Sequence, residues 1–176
     1  MKPIAFPFRH NITLPAGECN VTAVSQVIEQ LRDRGAKVIA SALAIEDVIV
    51  EILANTLFSE VKKHRALAVG LIFQSDWCSF SAKRKLLLAA IGEFSLLASK
   101  EKVQLDEALA HVMRYRNAFA HGAIEFDGST YVLRYFESTP KMSILDDVYW
   151  EKLESRLNEP WEQLLQIEAK ALEPRG

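Results

Sequence analysis

The chain has 176 residues, enough for one domain with a sizeable core and too few for two comfortable ones. Its 49% hydrophobic and 25% charged content excludes an intrinsically disordered or collagen-like chain. Lys and Arg total 21 against 23 Asp and Glu, a net charge of −2, which excludes binding to nucleic acid by bulk charge while allowing a local basic patch.

Two cysteines, Cys19 and Cys78, form neither a disulfide framework nor a Cys-x-x-Cys pair. No apolar run approaches the roughly 20 residues of a membrane span. The first ten residues are broken by Pro3, Pro7 and Arg9, so they hold no signal-peptide core. These features predict a cytoplasmic protein with no membrane association. A lead segment over residues 1–18 is followed by a single helical domain over residues 19–173.

The periodicity predicts a first helix from Asn20 to Arg34, with Val24, Val27, Ile28 and Leu31 on one face and Gly35 ending it. Ser41 caps a second helix, whose stripe is Ile45, Val48, Ile49, Ile52, Leu53, Thr56 and Leu57. Residues 66–75 read as a shorter apolar helical piece. Ser79 or Ser81 then precedes a helix carrying Leu87, Ala90, Ile91, Phe94, Leu97 and Ala98, with Gly92 inside it where another helix approaches closely. Asp106 caps a helix running to His121, and Gly122 stops it at a left-handed position.

The period then switches. Ile124-Glu125-Phe126 and Tyr131 to Phe136 flank Asp127-Gly128 as a small hairpin that Pro140 ends. Ser143 and Asp146 resemble a capping box for a final helical region to about Leu172, interrupted at Asn158-Glu159-Pro160-Trp161. The resulting fold class is all-α, a bundle of five or six helices with one small β-hairpin.

Charge is uneven along the chain. Residues 1–88 hold 11 basic and 8 acidic groups, while residues 89–176 hold 10 and 15. The basic groups gather in two clusters, Lys62-Lys63-His64-Arg65 and Lys83-Arg84-Lys85. Lys62, Lys63, Arg65, Lys83, Arg84 and Lys85 would attract RNA if the two clusters converged, whereas charged groups at helix boundaries ordinarily serve solubility. Trp77 and Phe80 beside the second cluster are read as core anchors, and Trp150 and Trp161 as groups docking the C-terminal region. His10, His64 and His111 show no metal-ligand spacing, and no phosphate loop or nucleophile motif is present, so neither a metal nor a cofactor is expected.

The segment richest in chemistry is Tyr115-Arg116-Asn117-Ala118-Phe119-Ala120-His121-Gly122. Leu105, Ala108, Leu109, Val112, Tyr115 and Phe119 form an apolar helical face, and Arg116 falls near its middle. A guanidinium there must be paired or hydrogen-bonded. Asn117 and His121 are four apart and therefore neighbours. Arginine offers a charged fork to phosphoryl oxygens and histidine shuttles a proton near neutral pH. A structural alternative stays open: His121 as part of a helix cap, and Arg116 as half of a salt bridge.

Arg116-Asn117-Ala118-Phe119-Ala120-His121, followed by Gly122, resembles the Arg-Asn-x-x-x-His signature of the HEPN superfamily. The run Ser79-Phe80-Ser81-Ala82-Lys83 and the Leu-rich helix after it are similar to the mannitol-operon-repressor-like branch of those proteins. The resemblance spans roughly residues 40–125. It implies a HEPN-like bundle that forms a homodimer through the signature helix, with both copies lining one cleft. It also implies catalytic roles: Arg116 stabilises the scissile phosphate, Asn117 holds the geometry, and His121 transfers a proton, with no metal or cofactor. The implied function is a metal-independent endoribonuclease, a toxin or stress effector whose partners are RNA and an antitoxin protein. The same branch implies an alternative, a non-catalytic transcriptional regulator or protein-interaction module. Some toxin members carry a Tyr two residues after the His, where an antitoxin modifies it; Ala123 stands there in this chain.

Overall fold

A computed structural model describes residues 21–58, 62–75 and 78–172 of the chain. The lead segment, Cys19, His10 and Trp77 lie outside the described residues. The element order is α1 (Val21–Leu57), α2 (Lys62–Ala68), a π-helical turn (Val69–Phe73), α3 (Phe80–Glu93), α4 (Ser99–His121), β1 (Ala123–Phe126), β2 (Tyr131–Glu137), β3 (Thr139–Ile144), α5 (Asp147–Asn158) and α6 (Trp161–Leu172). The protein is mainly helical. Among the described residues no helix is long and apolar enough to cross a membrane.

Helix α1 replaces the two helices expected on either side of Gly35. One line of buried positions runs Val24, Ile28, Leu31, Gly35, Val38, Ala42, Ile45, Ile49, Ile52 and Thr56, with Val50, Leu53 and Ala54 buried beside it. The positions along this line alternate steps of four and three without interruption, a heptad seam that keeps one face apolar along the whole helix. Gly35 occupies a seam position. A methyl group there would sit 2.8 Å from Cδ1 of Phe119, so the glycine serves the close approach of a ring rather than a helix end. Ser41 lies mid-helix and half-buried.

Chain packing divides the protein into two compact units, Met1–Ala40 with Arg114–Glu154, and Ser41–Met113 with Ser155–Gly176. In the first, Phe119 and Trp150 stack with centroids 5.5 Å apart, and the Arg34 guanidinium lies 4.2 Å from the Trp150 ring. Aromatic contact of this kind joins α1, α4 and α5. Trp150 is buried, as its expected docking role requires.

The expected hairpin is a three-stranded antiparallel sheet in the order β1-β2-β3. Asp127 Oδ1 accepts from the N–H groups of Ser129 (3.0 Å) and Thr130 (2.9 Å), and Gly128 takes φ 96°, which together close the first turn. Pro140 does not end the structure; it lies within β3, directly opposite Phe136. Leu145 N–H donates to Tyr131 O at 2.8 Å, so odd-numbered residues of this strand turn their backbone groups towards β2 and even-numbered ones turn theirs outwards. The missing N–H of Pro140 therefore faces the free edge, where no ladder bond is lost. Ser143 is in the strand, and Asp146 itself caps α5, its Oδ1 accepting from Tyr149 N–H at 2.8 Å.

In the second unit Ser79, rather than Ser81, caps α3, accepting from Ala82 N–H at 3.3 Å. The helix stops at Glu93, before Leu97 and Ala98, and Ser95 takes φ 51° in the turn. Helix α4 begins at Ser99 rather than at Asp106, because the Glu101 carboxylate reaches back to Ala98 N–H at 3.0 Å. Asp106 instead pairs with Arg84. The break at Glu159-Pro160 separates α5 from α6, as the sequence indicates. Phe80 is buried, in line with its reading as a core anchor, and Cys78 is a buried free thiol.

Candidate active site

The three residues of the Arg-Asn-x-x-x-His run lie on the last turns of α4, within the first unit. The seam of this helix runs Leu105, Leu109, Val112, Arg116 and Phe119, again in steps of four and three. Every member is buried except Arg116, which is half-buried. Its neighbour Phe119 is fixed by Gly35 and Trp150, so the backbone presenting Arg116 is held from the interior.

Arg116 Nη1 donates to Asn117 Oδ1 at 3.1 Å. Among the described residues its guanidinium makes no ion pair. The requirement that a seam arginine be hydrogen-bonded is met by an amide, which orients the guanidinium and leaves its charge uncompensated. Asn117 and His121 are exposed, one turn apart. His121 ends the helix.

Gly122 stops α4 without entering the left-handed region; among the described glycines only Gly128 has positive φ. The reason for a glycine is space. A methyl group at this position would lie 2.3 Å from Ala118 O, 2.8 Å from Arg134 O and 3.0 Å from Leu133 Cδ1. The chain leaves the helix directly against β2, and Ala123 is paired across from Arg134. His121 is thereby set beside the sheet.

The two basic clusters do not supply a comparable set. Lys83 is only 7% exposed and pairs with Glu46. Arg84 Nε bonds Asp106 Oδ1 at 2.6 Å. Arg65 pairs with Glu51 and donates to Asn55 Oδ1 at 2.9 Å. Lys85 is exposed, while Lys62 and Lys63 lie in α2 with side chains outside the described residues. All six belong to the second unit. His64 is exposed and His111 half-buried, and among the described residues no group of three or more His, Cys, Asp or Glu could hold a metal ion.

Tyr115 and Tyr149 meet edge to face at 6.4 Å near this end of α4. Burial, reinforced by Tyr115 and Tyr135, raises the Tyr149 hydroxyl above its usual pKa of 10.0. Residues the sequence reading passed over are Arg134 and Phe136, both exposed in β2. The strand sequence Tyr131–Glu137 shows no polar–apolar alternation, so nothing local marked them out. No family model, no curated protein and no solved structure matches the chain.

Proposed function

We propose that the chain is a HEPN-type endoribonuclease that needs no metal and acts as a homodimer, two copies of the α4 terminus lining one cleft. The observation that carries this reading is the condition of Arg116. It occupies a helix seam, is oriented by Asn117, meets no carboxylate among the described residues, and has an exposed imidazole a little over one turn away. A structural arginine in a dry interface would be paired with an acid. An arginine awaiting a phosphodiester would be oriented and electrostatically unfilled.

The chemistry follows from these groups. One His121 imidazole accepts the 2′-hydroxyl proton, and the 2′-oxygen attacks the adjacent phosphorus. The bond from phosphorus to the 5′-oxygen breaks. The imidazolium of the second copy protonates that oxygen, leaving a 2′,3′-cyclic phosphate and a 5′-hydroxyl. Arg116 offsets the charge growing on the non-bridging oxygens, and Asn117 holds the guanidinium in place.

The test is RNA cleavage by the purified chain with a chelator present, beside His121→Ala and Arg116→Ala, with the mass in solution measured for each. Loss of the acid–base group should lower kcat by about 100-fold or more. Loss of the guanidinium should cost about 100- to 1,000-fold. Equal cutting by all three dimeric proteins overturns the assignment. A folded wild-type chain that cuts no RNA would favour the non-catalytic regulator.

A further inference from the structure

Phe136 has the most exposed large apolar side chain among the described residues, at 74%. Strand register places it on the same face of the sheet as Arg134, two residues earlier, with Pro140 directly opposite Phe136 and Met142 directly opposite Arg134. Met142 is 55% exposed and Ile144, next along β3 on that face, 49%. The exposed part of this face thus holds one projecting ring, the apolar side chains of Met142 and Ile144, and the ion pair of Arg134 with Glu125, which lies on the same face opposite Val132. Arg134 is itself exposed, and its Nε donates to Glu125 Oε2 at 2.7 Å. That ion pair engages Nε, and the two terminal nitrogens make no other bond among the described residues; unlike Arg84, which is about a fifth exposed, Arg134 is 53% exposed and open to an outside acceptor that shares it with Glu125.

Three occupants compete for such a face. A strand added to the edge of β3 meets Pro140, whose missing N–H faces outwards, so extended pairing is blocked. A second copy docked face to face would bury these few side chains, far from the 20–30 residues a side that a stable interface needs (about 800 Å² per partner). A single-stranded nucleic acid fits better. Its bases offer π-faces to a projecting aromatic ring, and its phosphates suit a neighbouring arginine fork. The face is continuous with the candidate active site, since Ala123 opposite Arg134 follows His121 by two residues and Gly122 packs on the Arg134 carbonyl.

We propose that this face of the sheet is a nucleobase platform, Phe136 stacking on a base of single-stranded RNA while Arg134 holds the phosphate beside it. It rests on the nuclease reading only for where the strand continues, towards His121 and Arg116. The platform sets which stretch of RNA is presented to the reacting groups.

Binding of the full chain to a labelled 2′-O-methyl oligouridine tests it, because the blocked 2′-oxygen prevents cleavage. An abasic oligomer with the same backbone is the control. Phe136→Ala should weaken binding to the oligouridine about 5- to 150-fold, the range for one lost stack, and leave the abasic oligomer unaffected. Phe136→Trp should restore affinity. Arg134→Ala should weaken both and reduce the salt slope by about 0.7. No binding by wild type, or binding that Phe136→Ala leaves unmoved, overturns the platform. A change in mass in solution on Phe136→Ala without a change in RNA affinity also overturns it and marks a protein interface. Phe136-dependent binding without any cleavage of ordinary RNA keeps the platform and removes the nuclease.

Discussion

Arg116 in the first unit and the clustered cations of the second are treated in opposite ways, whereas Arg134 of the first unit pairs with Glu125 much as the clustered cations pair with their acids. In the second unit Arg65, Lys83 and Arg84 belong to clusters that look like nucleic-acid patches, yet each is bound to a carboxylate of its own unit. In the first unit Arg116 stands among apolar residues and meets only an amide. Arg34 is intermediate, stacked on Trp150 and 3.8 Å from Glu154. A run of basic residues along a chain is therefore a weak sign of a basic patch, because acids distant in sequence close on it. A solitary arginine on an apolar helix face is the stronger functional sign when no acid accompanies it.

The sharpest way to break this comparison is to remove one partner on each side. Lys83→Ala leaves Glu46 mostly buried and uncompensated, which should cost about 3–5 kcal/mol of folding stability in urea titration. Replacing both, Glu46→Leu with Lys83→Met, should recover most of that loss, since desolvating the pair offsets much of its attraction. Arg116→Ala strands no carboxylate and should stay within about 1 kcal/mol of wild type. If Arg116→Ala proved as destabilising as Lys83→Ala, the arginine would be a structural group and the contrast would vanish.

Local signals were legible and distant ones were not. The start of α3 was readable to within Ser79 or Ser81 because a cap bonds three residues on, and the break at Pro160 because proline acts on its own backbone. Gly35, Ser41 and Asp106 were misread as helix punctuation, although the heptad through Gly35 was present in the sequence and outweighs one residue's propensity. Gly122 was assigned to a left-handed turn when its real cause is the Arg134 carbonyl, a contact across twelve residues that no local rule shows. The third strand was hidden by Pro140, tolerable only because its side of the ladder faces outwards. At the candidate site the position of Arg116 was legible from the stripe. Its missing acid, and the carboxylates waiting for Lys83 and Arg84, were not.

The same substitution at two glycines should sharpen the difference between the units with opposite signs. Gly35→Ala puts a methyl group 2.8 Å from Phe119, whose ring is already held against Trp150 and cannot swing aside. The overpacking should cost about 1–3 kcal/mol. Phe119→Leu in the same chain should return part of it, a non-additive pair measurable by a double-mutant cycle. Gly70 in the π-helical turn has open space around it, so Gly70→Ala should stabilise by about 0.5–1 kcal/mol through reduced backbone freedom in the unfolded chain. Both shifts are readable as midpoints in urea.

The smallest effects are in the pH dependence of the first unit, at its two ends. Tyr149 has its folded pKa raised above 10.0, mainly by burial. Below that pH both states keep the proton; above it the unfolded chain loses the proton first, so stability falls as pH rises through the window between the two values. A single fully shielded proton gives a slope of about 1.4 kcal/mol per pH unit, and a partly solvated hydroxyl gives a fraction of it. Tyr149→Phe should flatten the alkaline limb of a urea-midpoint profile taken from about pH 9 to about pH 11. Asp127 works in the reverse sense. Hydrogen bonds from Thr130 and Ser129 hold its carboxyl below 3.8, so its contribution is present above that pH and lost as pH falls through the folded value. Asp127→Ala should therefore flatten only the acid limb, while an unchanged alkaline limb in Tyr149→Phe would show that the hydroxyl is hydrated and that the packing of α5 against this end of α4 is looser than the Tyr115–Tyr149 contact indicates.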